Sequence, residues 1–109
     1  MDRKMLGNKG EELASVLLNN RGYQIIAKNY VTKVGEIDII AFKDGVLVFC
    51  EVKTRVAGVF GDGREAVDRN KQSKIRKSAE WFLMSNDIKY DYVEFQVIEI
   101  TIEHMRDCF

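Results

Sequence analysis

Gly35-Glu36-Ile37-Asp38-Ile39-Ile40-Ala41-Phe42-Lys43-Asp44-Gly45-Val46-Leu47-Val48-Phe49-Cys50-Glu51-Val52-Lys53 is the stretch that decides the fold. Two apolar runs flank Asp44-Gly45. An Asp-Gly pair so placed is the strongest short-range hairpin signal, because a two-residue turn of that kind needs φ > 0. With Asp44 and Gly45 as the turn, Lys43 faces Val46, and pairing runs outward from there. Asp38 then falls opposite Glu51, and Glu36 opposite Lys53. Side chains alternate between faces. One face carries Glu36, Asp38, Ile40 and Phe42 with Leu47, Phe49, Glu51 and Lys53. The other carries Ile37, Ile39, Ala41, Val46, Val48, Cys50 and Val52, and is apolar throughout. A three-residue loop with a bulge would shift this register by one residue.

The first face is apolar near the turn and ionised at its far end, so the acids sit at the mouth of a core. Directly opposed carboxylates have Cβ atoms about 4.5–5.5 Å apart and ordinarily destabilise a sheet. A divalent cation between them reverses the sign. Without a metal, desolvation and repulsion should raise one carboxyl's pKa in a coupled titration. Mg²⁺ or Mn²⁺ suits oxygen ligands of this kind, and Mg²⁺ commonly pairs one or two carboxylates with water and phosphate oxygens. Such an ion can activate water and stabilise phosphoryl charge. Lys53, on the same face as Glu51, can orient the water or neutralise the developing phosphorane. Acid, acid and lysine is the minimum equipment for metal-dependent phosphodiester cleavage. The competing reading is an ordinary cross-strand ion pair between Glu36 and Lys53.

Outward from the hairpin, the chain reads as helix, strand, hairpin, helix, strand. The first helix is expected from about Lys9 to Asn20, with Leu13, Ala14, Leu17 and Leu18 at helical spacing and Gly22 as its C-terminal cap. Tyr23 to Ala27 reads as a strand. Thr54 to about Ala66, with Gly58, Gly61 and Gly63, reads as a loop long enough to be functional. The second helix is expected to start at Asp68, as N-cap, and to end near Asn86, with Ile75, Ala79, Phe82 and Leu83 inward. Trp81 is expected to be a partly buried packing residue. The last strand runs from about Tyr92 to Ile102. Its apolar phase slips between Val97 and Ile98, which implies a bulge or burial on both faces. The order αβββαβ is an α/β domain with a mixed sheet.

The 109 residues make one domain, 1–109, with as many Lys and Arg as Asp and Glu. Zero net charge leaves only local patches to argue for nucleic acid. The longest apolar runs are far short of the roughly 20 residues a bilayer requires. No partner in a membrane is expected. Cys50 and Cys108 are placed like reduced thiols of a cytoplasmic protein rather than a disulfide framework. His104 has no ligand spacing around it, so zinc is not expected.

Two further positions bear on the acids. Glu11 has the helical offset of Ala14 and Leu18, which aims it inward. The alternative is that it simply complements the helix dipole. Lys71 shares the apolar stripe of Ile75 near the N-terminus of its helix, where a phosphate is welcome. Arg69, Lys71, Lys74, Arg76 and Lys77 form a local basic run which, with Arg55, can follow a nucleic-acid backbone. The alternative is a solvated amphipathic helix.

Asp38 followed by Glu51-Val52-Lys53 resembles the PD-(D/E)XK nuclease signature, with Ile37 in place of its proline. More closely, the chain resembles the YraN-like family of bacterial proteins. The matching words are Gly10-Glu11 with Ala14, Asn29, Gly35-Glu36-Ile37-Asp38, Val48 to Arg55, Phe60-Gly61 and Lys71. The resemblance covers nearly all the chain to about Leu83. It implies a restriction-endonuclease-like fold, similar to Holliday-junction resolvases, and a metal-dependent DNA endonuclease acting on branched or single-stranded structures. It makes Glu11 a third metal ligand beside Asp38 and Glu51, with Glu36 in support. Members often carry Arg-Phe-Asp-Val in the last strand, where this chain has Glu94-Phe95-Gln96-Val97. Two other readings remain open: a non-catalytic nucleic-acid-binding module, and an interaction protein whose hairpin face is a homodimer contact.

Overall fold

The structure is a computed structural model, and it describes residues 2–58 and 67–109. Its elements are α1 (Arg3–Asn20), β1 (Gln24–Val31), β2 (Glu36–Lys43), β3 (Val46–Val56), α2 (Arg69–Ser85) and β4 (Tyr92–Ile102). The four strands form one mixed sheet in the order β1-β2-β3-β4. β1, β2 and β3 are antiparallel neighbours, and β4 runs parallel to β3 after the α2 crossover. The α/β class and the order αβββαβ are as the sequence predicts.

The hairpin forms as its turn residues dictate. Asp44 and Gly45 have φ of 49° and 81°, and the ladder runs from Lys43↔Val46 to Ile39↔Cys50 in the expected register. The tip also receives β4: Gly45 O accepts from Asp91 N at 2.7 Å and from Tyr92 N at 3.2 Å. α1 ends in a Schellman cap. Gly22, at φ 88°, donates to Asn19 O, and Tyr23 N donates to Leu18 O.

Several boundaries differ from expectation. α1 begins at Arg3, not near Lys9, because the Asp2 carboxylate caps it, accepting from Met5 N at 2.7 Å. β1 runs to Val31, past Ala27. A register shift between Ile25 and Ala27 and a left-handed Asn29 (φ 52°) carry the strand through its polar middle. Thr54–Val56 continue β3 instead of starting a loop. The rest of that expected loop from 59 to 66, with Gly61 and Gly63, and the Phe60-Gly61 match lie outside the described residues. β4 keeps an unbroken register from Val46↔Tyr92 to Val56↔Ile102. Its phase slip is therefore no bulge: Val93 packs on the α2 side and Ile98 and Ile100 on the α1 side, all only partly buried, while Phe95 and Val97 stay exposed.

Each face of the sheet carries a core. On the α1 side, Ala14 and Leu18 pack against Ile39, Ala41, Val48 and Cys50. On the α2 side, Ala79 and Phe82 pack against Ile37, Ile40, Leu47 and Phe49. Ile37 thus lies opposite its expected side, next to the irregular backbone at Asn29. Leu13 and Trp81, expected to pack inward, are 56% and 55% exposed. α1 and α2 thus pack on opposite faces of the hairpin. No described helix is long and apolar enough to cross a membrane.

Candidate metal and nucleic-acid site

The sheet forks beside Asp38. The β2–β3 ladder stops at Ile39↔Cys50. Beyond it, β2 stays with β1 through Tyr30↔Ile37 and Val31↔Glu36, while β3 stays with β4 out to Val56↔Ile102. The Asp38 carboxylate fills the crotch, accepting from Val52 N at 2.7 Å. A side chain thus satisfies a donor that the strand partner no longer reaches. The expected pairing of Asp38 with Glu51 and of Glu36 with Lys53 is not continued as ladder. Asp38 and Glu51 nevertheless meet in the fork.

Four acids, Glu11, Glu36, Asp38 and Glu51, lie around the fork. Glu51, the last residue before β3 leaves β2, is 8% exposed. Burial drives the Asp38 pKa up to about 7, with the charges of Glu51 and Glu11 and a side-chain hydrogen bond to Glu51 adding to it and the Val52 N–H opposing it. Burial also raises Glu11, helped by Glu36 and Glu51 and opposed by a hydrogen bond to Asn29. Asn29 is the residue that sequence reasoning used only as part of a family match. With its amide nitrogen toward the acids, it donates to Glu11 Oε1 at 2.9 Å and Glu36 Oε1 at 3.2 Å. Its φ of 52° is one that Asn adopts more readily than most residues, so an Asn in the polar middle of a strand is the only sequence signal of this position.

α1 delivers Glu11 through a close approach to β3. Gly10 is buried, and a Cβ there would overlap the Thr54 hydroxyl. The inward aim of Glu11 is therefore as the helical offsets predict.

α2 delivers the cation. Lys71 Nζ lies 2.8 Å from Glu51 Oε1. Its backbone N–H meets the Asp68 cap at 2.8 Å, which fixes where the lysine starts. Asp38, Glu51, Glu36, Asp68, Lys71 and Lys74 line a cleft of about 430 Å³ between the fork and α2. That volume falls within the range of about 300–1,000 Å³ usual for ligand sites.

The remaining expected residues are dispersed. Lys53 is half-buried on β3 and faces Glu99 across the parallel ladder. Arg55 is held by Glu99, Nε to Oε1 at 3.6 Å. Arg69 and Lys77 are exposed; Arg76 lies over the Phe95 ring at 4.7 Å. So the basic run splits: Lys71 and Lys74 line the cleft, and Lys77 lines a separate groove. Gln96 donates to Glu94 at 2.7 Å and Tyr23 at 3.3 Å. It pairs with Cys50 on the α1 side of the sheet, so the departure in the last strand does not remove a carboxylate from this cleft.

As the side chains stand, no three His, Cys, Asp or Glu among the described residues close on one point as an ion's ligands. In donor chemistry the set suits a hard divalent cation, since carboxylate oxygens predominate and burial and repulsion hold two of them above their ordinary pKa. Positive charge beside Glu51 is supplied by Lys71.

A model of the uncharacterised protein family UPF0102 matches residues 10–100. Among similar proteins, a UPF0102 protein of Alkaliphilus oremlandii is 44% identical over 97% of this chain and 98% of its own length. One from Dictyoglomus thermophilum is 41% identical over 94% of this chain and 86% of its own. A third, from Desulforamulus reducens, is 48% identical over 78% and 70%.

Proposed function

The chain belongs to the uncharacterised protein family UPF0102, the YraN-like family of the sequence resemblance, and on that footing we propose that it is a Mg²⁺- or Mn²⁺-dependent endonuclease acting on DNA in the cytoplasm. The carrying observation is the fork, where Asp38 is hydrogen-bonded to Glu51, feels the charge of Glu11 and is held against ionisation. Asp38, Glu51 and Glu11 would hold the cation, and Glu36 would support Glu11 through Asn29. The bound cation would supply Lewis-acid activation of water and charge compensation at phosphorus. Lys53, two residues beyond Glu51 on β3, would orient the attacking water or balance the phosphorane charge. Lys71, now 2.8 Å from Glu51, would turn to a substrate phosphate near the N-terminus of α2 once a cation compensated Glu51. Arg69 and Lys74, and Arg55 further along β3, guide the flanking backbone.

The Lys71–Glu51 pair also favours a second reading, a nucleic-acid-binding module of the nuclease fold whose site is neutralised internally and does not cut. The two separate in one experiment. Calorimetry with Mn²⁺ should show binding in the wild type and none in Asp38→Asn, and branched, single-stranded and duplex DNA should be cut in Mn²⁺. Absence of metal binding with and without DNA overturns the catalytic reading. Metal binding with every substrate intact selects the binding module.

A further inference from the structure

Along α2 from the cleft lies a second concavity, which the nuclease reading does not use. It is a groove of about 670 Å³ between the turn after β1 and the outer side of α2. Val31, Val34, Trp81 and Met84 supply its apolar surface, exposed by 71%, 45%, 55% and 82%. Lys33 and Lys77 stand at its rim, with Glu80 the one acid among the lining residues.

The groove is built, not a loose surface. The Thr32 hydroxyl donates to Gly35 O at 3.0 Å and meets the Ser78 hydroxyl at 2.9 Å. Ser78 is fully buried, so the turn is pinned to the helix that carries Trp81. At Gly35, a Cβ would come 3.2 Å from the Lys74 Cβ, so strand and helix meet closely there. Gly35 and Lys74 also line the carboxylate cleft. Lys74, Lys77 and Trp81 follow at helical spacing, so one face of α2 runs from the cleft to the groove.

We propose that this groove receives a single-stranded nucleic-acid segment, with one base stacked on Trp81 and the adjoining phosphates met by Lys77, Lys33 and Lys74. The inference rests on the nuclease-like reading and supplies its substrate class: a strand that leaves the cleft unpaired. An aromatic platform beside a basic track is the common means of holding single strands, because every base has a face to stack. The lysine rim complements a polyanion. A stable protein partner needs about 800 Å² per side, more than this short groove offers.

Trp81 is the only tryptophan, so emission reads this residue alone. Titrating the full chain with an oligo-dT strand at low salt should quench and saturate Trp81 emission, and the effect should weaken steeply as salt rises. Trp81→Ala should lose roughly tenfold in single-strand affinity, while Trp81→Phe retains most of it. Mn²⁺ binding and duplex affinity should be unchanged in both. Emission that does not respond to the strand, or unchanged affinity in Trp81→Ala, overturns the proposal. So does self-association that Trp81→Ala abolishes with no response to DNA, which would make the face a contact between copies. Quenching by DNA in a protein that binds no metal leaves this inference standing and removes the catalytic reading, so the two failures are distinct.

Discussion

Lys71 Nζ stands 2.8 Å from Glu51 Oε1, across the gap between α2 and β3. Glu51 is nearly buried there, and the lysine is about half exposed. The pair joins the helix to the forked strands at the point where Asp38 and Glu11 also bring carboxylates. Lys71 therefore serves the fold and the site at once. It compensates a buried anion, and it occupies the charge that a divalent cation would bring.

Removing Lys71 should expose that double role. Lys71→Met leaves Glu51 buried and uncompensated. The partial exposure of the lysine reduces the expected loss to about 1–2 kcal/mol, a drop of several degrees in melting temperature. Mn²⁺ should raise the melting temperature of Lys71→Met more than that of the wild type. An equal Mn²⁺ shift in both proteins would mean that the lysine and the metal do not compete for Glu51.

The contact between α1 and β3 yields a second expectation. Alanine is better than glycine in a helix by about 1 kcal/mol, yet Gly10→Ala should destabilise because its methyl meets the Thr54 hydroxyl. Overpacking of this kind costs about 1–3 kcal/mol. Thr54→Ala should relieve part of it, so the double variant should be more stable in urea melts than the two single losses added together. Strict additivity would place the conflict elsewhere.

How far the chain could be read follows from which interactions are local. Asp44-Gly45 fixes a turn and, with it, the register of every residue from Ile39 to Cys50, so the hairpin was legible. So were the Asp68 cap and the stripe of Ile75, Ala79 and Phe82. The Asp2 cap has no apolar periodicity beside it to mark it, because the turn it starts is polar. Lys28-Asn29 concealed the second half of β1 because no apolar alternation marks it. The fork depends on β1 and β4 each retaining one hairpin strand, a long-range competition with no local signature. The nearness of Asp38 and Glu51 is legible from the turn, but the end of the ladder before them and the Val52 N–H that Asp38 takes are not. Lys71 showed only as a charge on an apolar stripe, and its partner lies in another element.

The two cysteines should differ in chemistry. Cys50 is buried in the α1-side core, and burial, followed by the charges of Asp38 and Glu51, pushes its thiol up to about 12. Cys108 is exposed. At pH 8 an aromatic disulfide reagent should therefore modify one thiol of the native protein rapidly, and the second only after denaturation, since the thiolate is the reactive form. Rapid reaction of both thiols would show that the core beside Glu51 opens readily.

Asp38 gives the fork a pH signature. Its carboxyl is raised from 3.8 to about 7 in the folded chain, chiefly by burial. Between those values the folded state holds a proton that the unfolded state has released, so stability must fall as pH rises through the window from about 4 to 7. The full shift corresponds to about 4 kcal/mol as an upper bound, reduced by solvent screening and by sharing the proton with Glu51. Asp38→Asn keeps an oxygen for the Val52 N–H and cannot ionise. It should be more stable than the wild type at pH 8 in metal-free buffer, and the slope between pH 4 and 7 should flatten. Divalent metal should act the other way on the wild type, displacing the proton below pH 7 and compensating the ionised carboxylate above it. Mn²⁺ binding near pH 6 should therefore release protons, seen as a heat that changes with the ionisation enthalpy of the buffer. A wild type whose stability is level from pH 4 to 7 would mean that Asp38 ionises freely, and that the fork holds no anion short of a cation.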